Sequence, residues 1–238
     1  MAYMPLSWSI DPKIVGVRDG LGPCFLNADF YERHPWYRNL FIRNDSWTED
    51  WWQPQATMPD YGGPLLRIPM ERLARHTDFI DFGNFRRGYL VNDKLRRILE
   101  KALLPRHRYF PATFMHGKQE VTGYWWLCYD LEVGRDHVEF ARSEFDSFDS
   151  NPLSLTPKPP LFFAGYADYM QAFREKGRAA IATKLHFKPS FNGELDLWGV
   201  QFLSTQKGYI SDRLLAEFKR HGITGYGLRK PTCALVLT

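Results

Sequence analysis

The sequence predicts an α+β fold of mixed or antiparallel sheets with a few packed helices, and leaves open a build from two related strand-helix-strand halves. Three observations point there. Aromatic and β-branched runs of strand length recur between turn residues, two short helices carry start and stop signals, and both helices follow strands of similar sequence. The chain has 238 residues, 44% of them hydrophobic and 24% charged, enough for one large domain or two small ones to bury a core.

The first 65 residues hold much of the aromatic content, with Trp36, Tyr37, Phe41, Trp47, Trp51, Trp52 and Tyr61 set among Pro and Gly. No helical periodicity is sustained, so IVGV at 14–17 and FLNADF at 25–30 are expected as short strands between irregular loops. A clearer unit starts near Asp78. From Asp93 onward, Leu95, Ile98, Leu99, Ala102 and Leu103 form one helical stripe. Asn92 is placed to cap it and Pro105 to stop it. RYFPATFM at 108–115 and GYWWLCYDLEV at 123–133 flank the turn-prone HGKQE and read as a β-hairpin on which the helix packs.

Residues 146–160 are dense in Ser, Asp and Pro, the composition of a linker or loop. They divide the chain into an N-terminal α+β region, 1–145, and a C-terminal one, 161–238. In the second region ADYMQAFREKGRAAIATKL at 167–185 reads as one interrupted helix or two short ones, and LWGVQFL at 197–203 as a short strand. The last unit, 208–228, has signals at both ends. Ser211 caps a helix over about 212–221, Ile210 staples against Leu215, and Gly222 closes a Schellman motif that sets Ile223 against Phe218. Residues 223–228 then return as a strand. GYLVNDKLRRILE at 88–100 and GYISDRLLAEFK at 208–219 share this plan: Gly-Tyr, a short strand, a capping residue, Asp, a cation, Leu and an amphipathic helix.

The composition narrows the function classes. No stretch approaches the roughly 18 apolar residues of a membrane span, and the N-terminus does not resemble a secretory signal, so a cytoplasmic location is expected. The net charge of +4 is spread along the chain without a basic stripe, which argues against nucleic acid as a partner. Cys24, Cys128 and Cys233 match neither a disulfide framework nor paired zinc knuckles; they read as reduced thiols, with Cys128 in a core. Phosphate-binding, dinucleotide, nucleophile-elbow and HExxH motifs do not occur in the sequence. The seven histidines show no zinc spacing, and neither metal nor cofactor is expected.

Two carboxylate groups, Glu144 with Asp146 and Asp149, and Glu194 with Asp196, fall in an expected linker and turn and read as solvated. Asp93 and Asp212 suit the first turn of a helix. None is assigned catalysis. An enzymatic alternative, a small hydrolase or transferase, requires several of His107, His116, Asp130 and Glu132 to converge in one cleft. The segment NDSWTEDWWQP is the candidate partner surface: Trp47, Trp51 and Trp52 flanked by Asp45, Glu49 and Asp50 make a patch both apolar and negative. Filling the core of the N-terminal half, or forming a sugar-binding platform, are the other uses of the same tryptophans.

The order of segments DFIDFGNFRRGYLVNDKLRRILE, RYFPATFM, GYWWLCYDLEV, DHVEFARSEFD, LDLWGVQF and GYISDRLLAEFKRHGITGYGL resembles the bacterial immunity proteins numbered eleven and forty-three in polymorphic-toxin catalogues. The resemblance covers roughly residues 50–231. Its clearest marks are the Ser-Asp-Arg-Leu helix ending in Gly-Ile-Thr-Gly and the Val-Asn-Asp-Lys-Leu helix leading to Tyr-Phe-Pro. It implies a non-catalytic binder that protects the producing cell by covering a cognate toxin encoded nearby.

Overall fold

A computed structural model describes residues 2–18, 22–37, 63–80, 88–132, 134–146, 159–176, 180–200, 203 and 208–237. Its class is α+β, with twelve strands and five α-helices among the described residues. The two segments expected as strands near the N-terminus are helical instead. IVGV enters α1 (Pro12–Val15), where the Asp11 side chain accepts from Lys13 N–H and Pro12 has the φ of a first turn. FLNADF enters α2 (Ala28–Arg33), where Asn27 accepts from Phe30 N–H at 2.9 Å. In each case a capping side chain outweighs weak strand propensity. His34 ties α2 to the first sheet: its Nδ1–H donates to Phe30 O and its Nε2 accepts from Leu66 N–H.

That sheet contains β2 (Leu65–Met70), β3 (Phe79–Ile80), β4 (Tyr89–Asn92), β5 (His107–His116) and β6 (Gln119–Tyr129), in the order β2-β5-β6-β4-β3. The expected hairpin is β5 and β6, which turn at Gly117 and Lys118. A second sheet has the order β11-β1-β10-β9, from β1 (Tyr3–Trp8), β9 (Leu197–Trp198), β10 (Gly208–Ser211) and β11 (Tyr226–Leu228), all antiparallel. The third is small: β7 (Glu144–Phe145), β8 (Ala182–His186) and β12 (Ala234–Val236), in the order β12-β8-β7.

Helix α3 (Asp93–Leu99) follows β4, α4 (Tyr166–Lys176) precedes β8, and α5 (Asp212–Arg220) follows β10. The helical reading of 167–185 is therefore half right. From Ala182 the chain is β8, because pairing with β7 and β12 overrides the helix propensity of its Ala, Lys and Leu. The stripe of α3 also ends early. Lys101 N–H and Ala102 N–H bond back to Ile98 O and Leu99 O in 3₁₀ fashion, and Leu103 is left 42% exposed.

The matching segments are two units of one plan. Phe79 pairs with Val91 as Leu197 pairs with Ile210. Tyr124 faces Asn92 as Tyr3 faces Ser211, and Leu127 lies between Tyr89 and Tyr109 as Leu6 lies between Gly208 and Leu228. One constant shift in residue number carries Asn92 to Ser211, Leu95 to Leu214, Leu99 to Phe218 and Tyr109 to Leu228. The strand order β5-β6-β4-β3 thus repeats as β11-β1-β10-β9. In the second unit the N-terminal β1 takes the place that β6 holds in the first.

Strand pairing consequently crosses the expected division at 146–160, since β1 joins β10 and β11, and β7 joins β8. Residues 147–158 of that stretch lie outside the described residues. Three cores alternate with the sheets, as the period-2 side-chain pattern requires. Leu90 and Trp126 point to a first core with Phe30 and Phe114, and Trp198 and Tyr209 to one with Phe145, Tyr169 and Phe187. Val91, Leu127, Leu197 and Ile210 share a central core with Leu95, Leu99, Leu214 and Phe218. Both units build that central core.

Candidate functional site

The starts of α3 and α5 are set by equivalent bonds. Asn92 Oδ1 accepts from Leu95 N–H and Ser211 Oγ from Leu214 N–H, each at 3.0 Å. Each cap is held in turn by an aspartate just before the neighbouring strand. Asp78 accepts from Asn92 Nδ2 at 2.9 Å, from Thr224 N–H at 2.7 Å and from Thr224 Oγ1 at 2.8 Å, with Lys94 Nζ at 3.7 Å. Asp196 accepts from Ser211 Oγ at 2.7 Å, from Leu103 N–H at 2.8 Å and from Arg213 Nε and Nη2, both at 2.9 Å.

Thr224 follows α5, and Leu103 follows α3. Each aspartate therefore ties the start of its own unit's helix to the chain leaving the other unit's helix, a reciprocity of the kind a two-fold axis imposes. Asp196 is buried, which overturns its reading as a solvated turn residue. Burial opposes ionisation of both carboxyls, but the donors facing them outweigh it and hold both below the ordinary carboxylate range.

These ties lay α3 and α5 side by side and antiparallel; Lys94 Nζ at the start of α3 donates to Gly222 O just past the end of α5. Between the helices runs a groove of about 550 Å³. Ile98 and Ala102, both half-buried, provide its apolar surface, with the buried Leu214 beneath them. Lys94, Arg97, Lys101, Arg213 and Arg220 line it, against the two carboxylates Asp196 and Glu217. Asp196 is engaged by Arg213, and Glu217 by Arg220 and, at 3.7 Å, His221. Among the described residues neither Arg97 nor Lys101 is in an ion pair, so the groove keeps an excess of positive charge.

Asp45, Trp47, Glu49, Asp50, Trp51 and Trp52, the expected partner surface, lie outside the described residues. The groove was missed because its cations are spread along the sequence in two blocks, Lys94 to Lys101 and Arg213 to Arg220. Matching the two units residue by residue would have found it, since Lys94 corresponds to Arg213 and Lys101 to Arg220.

Of the four residues of the enzymatic alternative, the two acids come together and neither histidine joins them. Asp130 and Glu132 line a depression of about 330 Å³ that neither His107 nor His116 lines. His107 faces Pro105 O through its Nδ1, and His116, at the far end of β5, pairs with His76 at 2.9 Å. Burial raises the Glu132 carboxyl, against the hydrogen bond from Gly134 N–H. Glu144 pairs with Lys184, and Asp93 accepts from Trp125 Nε1 at 2.7 Å. All three cysteines are buried and none is in a disulfide. Among the described residues no group of three His, Cys, Asp or Glu is arranged to hold a metal ion, and no helix is long and apolar enough to cross a membrane.

No family model matches the chain, and no curated protein matches it.

Proposed function

We propose that this chain is an immunity protein, which binds a cognate bacterial toxin in the cytoplasm of the producing cell and neutralises it by covering it. The observation that carries the reading is the α3/α5 groove, which is open to solvent, apolar between the helices and lined by arginines and lysines. Arginine around an apolar centre is the composition of protein-binding surfaces. The groove also rests on framework rather than loops: two capped helices, each clamped by a buried aspartate. A rigid surface of this kind loses little conformational entropy when a partner docks. The reading makes the partner a protein rather than a nucleic acid, because the cations of the groove are interleaved with Glu217 and Asp196 instead of forming the unbroken basic stripe that tracks a phosphate backbone.

The test is expression of the neighbouring open reading frame in a heterologous host, with and without this chain. Growth arrest by the neighbour alone, rescue by co-expression and copurification of the two are expected. A harmless neighbour that does not copurify refutes the reading.

A further inference from the structure

The geometry points to an acidic segment of the partner protein as the occupant of the α3/α5 groove, with carboxylates at both ends and an apolar residue between. This deepens the proposed function and rests on its reading of the chain as a protein binder. Because the helices are antiparallel, the start of each lies beside the end of the other. Lys94 therefore shares one end of the groove with Arg220, and Arg213 shares the other with Lys101. Each end holds one lysine and one arginine, as the correspondence between the two units requires.

The centre is different, because Ile98 and Ala102 offer apolar surface and Glu217 opposes a carboxylate there. Arg213 spends Nε and Nη2 on Asp196, which leaves its Nη1 without a partner among the described residues. Arg97 and Lys101 make no ion pair among those residues. Lys94 and Lys101 are seven positions apart, about 11 Å along α3 and the 3₁₀ turn that follows it. An extended peptide covers that span in about three residues. Acidic residues three or so apart, flanking leucine-like side chains, match this pattern of charge and apolar surface.

The probe is a fluorescein-labelled synthetic peptide, Glu-Glu-Leu-Leu-Glu-Glu, titrated with the full chain and read by fluorescence anisotropy. Saturable binding that weakens with added salt is expected, and Arg97→Glu with Lys101→Glu should weaken it by about tenfold or more, the loss of one or two charge pairs. Lys118→Glu with Lys176→Glu makes the same change in net charge on exposed positions outside the groove and should leave the affinity within about twofold. All four positions are exposed, and circular dichroism melting checks that both variants fold. Equal weakening by the two double variants, no binding of the peptide by the parent chain, or tighter binding of a DNA duplex through the groove each overturns the inference. The toxin is not needed for this measurement. A harmless neighbouring gene would thus refute the immunity reading without touching the peptide result, and a failed peptide titration would leave the rescue experiment to stand by itself.

Discussion

Asp196 shows how much one buried carboxylate can organise. It meets a cap hydroxyl, a backbone N–H and two guanidinium nitrogens, so its removal strands donors of three residues from two chain segments. Asp196→Ala is expected to cost about 2–4 kcal/mol in urea unfolding, and Asp196→Asn less, because it keeps an acceptor oxygen. The folded carboxyl titrates below its unfolded value, so its contribution is complete above about pH 4 and is lost as the pH falls through the folded value. The stability gap between the parent chain and Asp196→Asn should therefore narrow between neutral pH and about pH 3. A gap that does not change with pH would show that charge is not the stabilising feature. His34 adds an earlier acid sensitivity of the same sign. Burial keeps its ring neutral and Nε2 must accept from Leu66 N–H, so protonation below about pH 6.5 costs stability.

At the scale of single elements the helix starts were readable and the N-terminal strands were not. Ser211, Asn92 and the Gly222 closure announced themselves because capping is local: a side chain bonds a backbone group three residues away. Ile223 N–H to Phe218 O and Gly222 N–H to Lys219 O, with Gly222 at φ +58°, form the expected Schellman motif. Asp11 and Asn27 are caps of the same kind, but their helices have four and six residues, too short to show a periodic stripe. The caps also differ in weight. Asn27→Ala should cost about 1 kcal/mol, whereas Ser211→Ala and Asn92→Ala, which also sever the bond to Asp196 or Asp78, should cost about 2–3 kcal/mol each. Urea midpoints of the three variants test this, and equal losses would mean that the aspartates add nothing to the caps.

Over the whole molecule the decisive strand is β1, which fills the position in the second unit that β6 fills in the first. It pairs on both sides, with β10 and β11, and places Leu6 in the central core. Deleting residues 2–10 should expose the edges of both neighbours and unfold the second unit, seen as lost amide protection in β9, β10 and α5. Retained protection there would show that β1 is an accessory strand. Gly225 bears on the same junction. Its φ is +89°, and an added Cβ would lie 2.1 Å from Phe79 O across the unit boundary, which excludes other residues.

The sequence by itself determined what depends on neighbours along the chain: the α+β class, the β5/β6 hairpin, the capped starts of α3 and α5, and the similarity of the two segments that contain them. Tertiary structure alone decided which strand completes each sheet, that Asp78 and Asp196 cross from one unit to the other, and that Arg97 and Lys101 share a groove with Arg213 and Arg220. The physical reason is range. A cap or a turn closes within a few residues and leaves its pattern in the sequence, whereas the pairing of β1 with β10 or the bond from Thr224 to Asp78 is chosen by burial between segments more than a hundred residues apart.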